Sequence, residues 1–138
     1  MYRLHHVGIL VSDISEAAAT YVRRYGYEIK SDIIHDPVQT AHVQFLQLAG
    51  DSSYVEFVAP DRPESKLANA LKKGGGVNHV CYATDDILLA CRRLEADGMF
   101  VIQQPVAAVA FPGRRIAWLM GSDRALTELV EAAREGGL

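Results

Sequence analysis

The chain nearly repeats itself. Slid along itself by 73 residues, it brings His6 onto His79, Val7 onto Val80, Asp13 onto Asp86, Ile14 onto Ile87 and Ala17 onto Ala90. Gly26 and Gly98 fall at an offset of 72, as do Glu56 and Glu128. Glu56 therefore follows His6 by 50 residues, and Glu128 follows His79 by 49. A repeat this long restricts the fold to two copies of one supersecondary unit, too few for a solenoid.

Each copy has the same grammar. Leu4 to Val11 reads as a strand rich in β-branched and apolar residues. Asp13 is placed to cap a helix running to about Arg24, with Glu16 three residues on as in a capping box. Ile14, Ala17, Ala18, Tyr21 and Val22 recur at helical spacing, and Gly26 supplies a left-handed stop. Strands are expected over Tyr27–Ile34, Ala41–Leu48 and Tyr54–Val58, with Gly50-Asp51 as a turn. The second copy reads as strand Val77–Thr84, helix Asp86–Ala96, turn Asp97-Gly98, then strands Met99–Gln103, Arg115–Met120 and Thr127–Val130. Between the copies Ser65 is expected to cap a short helix, Lys66–Lys72, ending in the hinge-like Gly74-Gly75-Gly76. The order βαβββ, linker helix, βαβββ is an α+β class with a mixed, curved sheet. A chain of 138 residues suits one domain spanning 1–138, with module one about 1–60, the linker helix about 65–73 and module two about 77–132.

Alternation along a strand sorts the side chains. Val7, Ile9 and Val11 form an apolar face suited to packing beneath the helix, so His6, Gly8 and Leu10 take the other face. In the second copy His79, Cys81 and Ala83 share a face, opposite Val80 and Tyr82. Glu56 sits between Val55 and Phe57, and Glu128 lies within LTELV. A glutamate in such a strand must be exposed, paired or coordinated, because an unpaired buried carboxylate is costly. Two imidazoles and two carboxylates that converge would bind a divalent cation, and a mixed nitrogen and oxygen set suits Zn, Ni, Co, Mn or Fe better than Ca. His5 and Glu131 have no partners in the repeat. His35 and His42 have no counterparts in the second half and read as surface or pocket rim.

Composition excludes several function classes. The net charge of −3 argues against nucleic acid as the main partner. With 49% hydrophobic and 22% charged residues the chain is ordinary for a globular protein, and its apolar runs fall short of the ~20 residues a membrane helix needs. A strand begins within a few residues of the start, leaving no room for a signal peptide, so a cytoplasmic location is expected. Cys81 and Cys91 lack CxxC spacing and read as reduced core thiols.

The two βαβββ units, the HVG and NHV histidines and the two strand glutamates resemble the vicinal oxygen chelate superfamily, which includes glyoxalase I and bleomycin-resistance proteins. That resemblance implies a cup-shaped sheet around one metal, with His6, Glu56, His79 and Glu128 at the four ligand positions. Within the superfamily the likeness is strongest to methylmalonyl-CoA epimerases, through LHHVGILVSDISEAAATYVRRYGYEI, VEFVAPDRPESKLANALKKGGGVNHVCYATDDI and LTELVEA. Asn78 stands where those enzymes carry a second histidine, and AVAFPGRRIAW and Met120-Gly121 replace their pocket loop and His-Pro. The implied activity is a metal-dependent isomerase that abstracts a proton beside the carbonyl of an acyl-CoA thioester. Glu128 is the candidate base, and Glu56 a ligand and second base. His42 and Gln44 are expected to line the cup on a strand, 41–48, that here carries no carboxylate. Arg114-Arg115 or Lys72-Lys73 are candidates to meet coenzyme A phosphates. The alternatives are a glyoxalase I-type lactoylglutathione lyase and a non-catalytic binder of a small molecule such as an antibiotic. A homodimer is expected, because an open sheet leaves edges to be covered.

Overall fold

The computed structural model describes residues 1–134 and 137–138. Nine strands and three helices stand among the described residues, in the order β1 (Tyr2–Leu10), α1 (Ile14–Tyr25), β2 (Glu28–Ile29), β3 (Ile34–Asp36), β4 (Ala41–Gln47), β5 (Tyr54–Pro60), α2 (Ala68–Lys72), β6 (Gly76–Thr84), α3 (Ile87–Ala96), β7 (Phe100–Ala107), β8 (Arg115–Met120) and β9 (Leu126–Glu131). Two compact units emerge: residues 6–78, and residues 1–5 with 79–138.

In the first unit, α1 starts where the sequence says it should. Asp13 is extended (φ −137°, ψ 108°) and its carboxylate accepts from the Glu16 amide at 3.0 Å, satisfying one orphan donor of the first turn. Gly26, at φ +76°, ends the helix in the left-handed conformation. Ile14 and Ala18 pack on Leu46, Phe57 and Ala59, with Ile9, Val11 and Tyr21 at the margin. Burying a large apolar side chain of this kind stabilises by roughly 1.5–3 kcal/mol. The strands run in the order β2-β4-β5-β1, with β3 also on β4. β1 and β5 are parallel and the other pairs antiparallel.

The second unit repeats the plan. Asp86 caps α3 by accepting from the Leu89 amide at 3.0 Å. Ile87, Ala90 and Cys91 pack on Ala117, Leu119 and Leu129. The strand order is β6-β9-β8-β7, parallel for β6 and β9 and antiparallel beyond. Both cysteines are free and buried, and burial, then the nearby Glu95, pushes the Cys91 thiol pKa up.

Three sequence expectations are corrected. Tyr27–Ile34 is not one strand: the ladder breaks at Ser31, whose hydroxyl accepts from the Phe45 amide at 3.0 Å in place of a backbone carbonyl. The strand expected at Met99–Gln103 instead runs from Phe100 to Ala107 with register shifts, and it includes Pro105, tolerated because β7 is the last strand in its unit's order. Finally, α2 begins at Ala68, not Lys66, and Ser65 is not its N-cap. The Ser65 hydroxyl donates to the Thr40 carbonyl at 2.7 Å and accepts from the Leu67 amide at 3.1 Å, so it shapes a turn ahead of the helix. Past α2, Gly75 has φ +65°, and a Cβ there would lie 2.7 Å from the Leu10 carbonyl oxygen. Only glycine lets this turn close on the end of β1.

Candidate metal centre

The parallel register of β1 and β5 sets Glu56 opposite Gly8, hence on the face that carries His6. Gly8 has no side chain, which leaves room for carboxylate and imidazole to lean together. His6 Nε2 and Glu56 Oε1 stand 3.4 Å apart, with His6 fully buried and Glu56 5% exposed. The second unit builds the same pair by the same means. Glu128 is opposite the small Cys81, and His79 Nε2 lies 3.4 Å from Glu128 Oε1, both residues buried.

That separation is wider than the about 2.7–2.9 Å of a charge-assisted hydrogen bond. It equals the distance between two ligands bonded at about 2.1 Å to one ion with a near-tetrahedral angle, about 3.4 Å. Imidazole with carboxylate, deeply buried, is a donor set for a borderline divalent metal, and the residues of each pair fit that group.

An aromatic ring backs each pair. Phe45 on β4 is the cross-strand partner of Glu56, and its ring meets His6 edge-on at 5.3 Å and 77°. Trp118 on β8 is the partner of Glu128, and its ring meets His79 edge-on at 4.8 Å and 80°. Motif reading missed both rings. The signal was available, because Phe45 and Trp118 are themselves 73 residues apart.

The register also corrects the reading of β4. His42 and Gln44 pair with Ala59 and Phe57, which puts them on the helix-packed face; Val43 and Phe45 share the face of Glu56. His42 stacks on His35 (4.8 Å, 18°), His35 Nε2 lies 2.9 Å from Asp61 Oδ2, and the Gln44 amide donates to the Ser31 carbonyl. No carboxylate stands on β4, but Asp36 of β3, opposite Ala41, adds one to the Glu56 face. Its Oδ1 closes a turn by accepting from the Val38 and Gln39 amides, each at 3.1 Å.

His5 makes contacts of its own: its Nε2 lies 3.2 Å from the Leu138 oxygen and its ring meets Phe111 edge-on. The arginine pair is likewise engaged. Arg115 makes a two-pronged contact with the Glu131 carboxylate, at 3.0 and 3.1 Å, and Arg114 donates to the Glu131 and Leu138 oxygens from a position over Phe111. Hydrogen bonding from Arg115 holds the Glu131 pKa below the usual carboxylate range, against the opposing effect of burial. These contacts tie the start of β8 to the end of β9. Arg114 lines a cavity of about 460 Å³ with Glu131 and Arg134, and Lys72 lines one of about 420 Å³ with Arg62 and Ser12.

Comparison with known proteins decides the family. A family model described as the Glyoxalase/Bleomycin resistance protein/Dioxygenase superfamily matches residues 5–118. The chain belongs to this superfamily. Within it, the ethylmalonyl-CoA/methylmalonyl-CoA epimerase of Cereibacter sphaeroides is 32% identical over 123 residues, covering 88% of this chain and 90% of that protein. Among solved structures, methylmalonyl-CoA epimerase from Mycobacterium tuberculosis superposes with a TM-score of 0.84 at 27% identity, covering 94% of this chain and 87% of that one. A Streptomyces coelicolor methylmalonyl-CoA epimerase in complex with 2-nitronate-propionyl-CoA gives 0.82 at 28% identity, covering 95% and 97%. The two βαβββ units of this superfamily member therefore carry the fold expected from the repeat.

Proposed function

We propose that this chain is a metal-dependent epimerase of acyl-CoA thioesters of the methylmalonyl-CoA type, with both modules acting as one domain over residues 1–138. The observation that carries the reading is the duplicated buried histidine–glutamate pair, each at 3.4 Å, in a chain 32% identical to an ethylmalonyl-CoA/methylmalonyl-CoA epimerase. In this reading His6, Glu56, His79 and Glu128 together hold one divalent ion of Co, Ni, Zn, Mn or Fe.

Held by these four residues, such an ion would supply Lewis acidity where negative charge develops in the reaction. The chain's own residues move the protons. Glu128, from the second copy of the scaffold, removes the α-proton, and Glu56, from the first, returns one to the opposite face of the carbon. Burial of both carboxylates keeps water from competing for the carbanion. Phe45 and Trp118 hold the imidazoles in place as they would hold ring ligands. Lys72 offers a cation for the phosphates of coenzyme A.

The test is proton–deuterium exchange at the α-carbon of methylmalonyl-CoA in D2O. Exchange that requires added Co or Ni supports the reading; absence of exchange with every divalent metal removes it. Turnover of methylglyoxal with glutathione, and not of the thioester, would instead mark a glyoxalase-type lyase.

The same proposal includes a cytoplasmic homodimer. Among the described residues no helix is long and apolar enough to cross a membrane. β7 ends its unit's strand order and exposes Phe100 and Ile102, a surface that a second copy would cover. Sedimentation equilibrium should give twice the chain mass of 15.1 kDa, and a monomer at micromolar concentration would exclude the dimer.

A further inference from the structure

The two half-sites share a histidine, a glutamate and a backing ring, and the ring itself differs between them. Phe45 and Trp118 occupy equivalent places, opposite the glutamate and edge-on to the histidine of their own unit. Since a phenyl ring performs the packing in the first unit, packing does not require an indole in the second. What the indole adds is an N–H. Trp118 Nε1 is buried and has no acceptor among the described residues. A buried donor left without a partner costs about 1–3 kcal/mol, so native chains seldom keep one without use.

The surroundings do not relieve it. On the same face of the second unit, Met120 pairs with Phe100, and Ile116 pairs with Val106. Gln103, the cross-strand neighbour of Trp118, turns its amide to the Gln104 carbonyl. The donor therefore sits in an apolar wall beside the His79–Glu128 pair, where a single fixed N–H acts with little screening by water.

We infer that Trp118 is a specificity-determining residue whose indole N–H donates to an oxygen of the bound acyl group. The inference rests on the proposed epimerase reading. The recognised ligand is an acyl-CoA thioester with an acceptor oxygen next to the reacting carbon: either the free carboxylate of a malonyl-type acyl group or the thioester oxygen itself. The apolar wall formed by Met120 and Ile116 then takes the alkyl substituent.

Two measurements test it. Trp118 is the chain's one tryptophan, so its emission in the metal-loaded parent reports on this N–H directly. Titration with methylmalonyl-CoA should shift that emission; binding seen by calorimetry without a shift overturns the inference and leaves the epimerase reading intact. In the second measurement, W118F keeps an aromatic ring and deletes the donor. It should weaken methylmalonyl-CoA binding roughly tenfold, while the affinity for Co stays within about twofold of the parent. Propionyl-CoA separates the two acceptors: unchanged affinity identifies the carboxylate, and an equal loss identifies the thioester oxygen. Equal affinities of parent and variant for both thioesters overturn the inference. So does a loss of Co affinity of about 10–100-fold, the signature of a residue that only positions ligands. A parent that binds no CoA thioester defeats the epimerase reading first, and the inference with it.

Discussion

The two units solve one folding problem with the same parts and then diverge around their histidine–glutamate pairs. Both begin with a strand whose histidine faces away from the capped helix, and both set a glutamate opposite a small residue, Gly8 or Cys81, two positions past that histidine. Divergence starts with the strand that follows the helix. In the first unit it breaks at Ser31 and continues as a three-residue strand tied back through His35 to Asp61. In the second it runs for eight residues and leaves Phe100 74% exposed. The ring behind the ligands differs too, phenyl in one and indole in the other. The histidines, the glutamates and the helix caps recur in both units, and the strand after the helix and the backing ring do not.

The harshest way to break this equivalence is to remove one histidine at a time. His6→Ala and His79→Ala should each abolish stoichiometric Co uptake, measured by metal analysis after gel filtration, and each should lower α-proton exchange about a thousandfold or more. Retention of metal by either variant alone would show that the pairs are not equal partners in one site. The glutamates sharpen the point, because they are assigned different work. Glu128→Gln should cut exchange by about 10²–10⁴, the usual contribution of a positioned base. Glu56→Gln should leave abstraction less impaired, while return of the proton to the opposite face slows. Equal behaviour of the two in a pulse experiment that follows exchange and epimerisation separately would contradict the assignment.

Much of this was legible before any coordinates. The offset of 73 chose His6 over its neighbour His5, and the structure turns His5 toward Leu138 and Phe111. The caps at Asp13 and Asp86 were readable because local hydrogen bonding makes them. What could not be read depends on pairing between strands. The facing of His42 and Gln44 is set by the register of β4 on β5, and a strand's own alternation leaves open which of its faces meets the helix. The break at Ser31 is a side-chain hydrogen bond to a residue 14 positions away. The partnership of Arg115 with Glu131 likewise spans two strands.

Exchanging the backing rings tests whether the units differ in tolerance as well as chemistry. Phe45 is fully buried, so Phe45→Trp overfills its place and should cost about 1–3 kcal/mol in urea denaturation. Trp118→Phe, at a partly buried position, should cost less. A Phe45→Trp variant as stable as the parent would mean the first unit has room for an indole and that its phenyl reflects no packing limit.

The smallest effect concerns a pair that only one unit has. In the first unit the positions equivalent to Arg115 and Glu131 hold His42 and Ala59, which are cross-strand partners, and His42 stacks on His35 instead of meeting an acid. In the second, hydrogen bonding from Arg115 lowers the Glu131 pKa. A carboxylate whose pKa is lower folded than unfolded stabilises the fold fully above the unfolded value of about 4.3, and that contribution disappears as pH falls through the folded value. Glu131→Gln should therefore melt slightly below the parent at pH 7, and the two melting curves should converge on acidification below pH 4. Because both side chains remain partly in water, the difference belongs to the small range of exposed ion pairs, and 0.5 M salt should narrow it further. A gap that persisted unchanged in acid would assign the stabilisation to the packing of the Glu131 stem against β8, with no contribution from its charge.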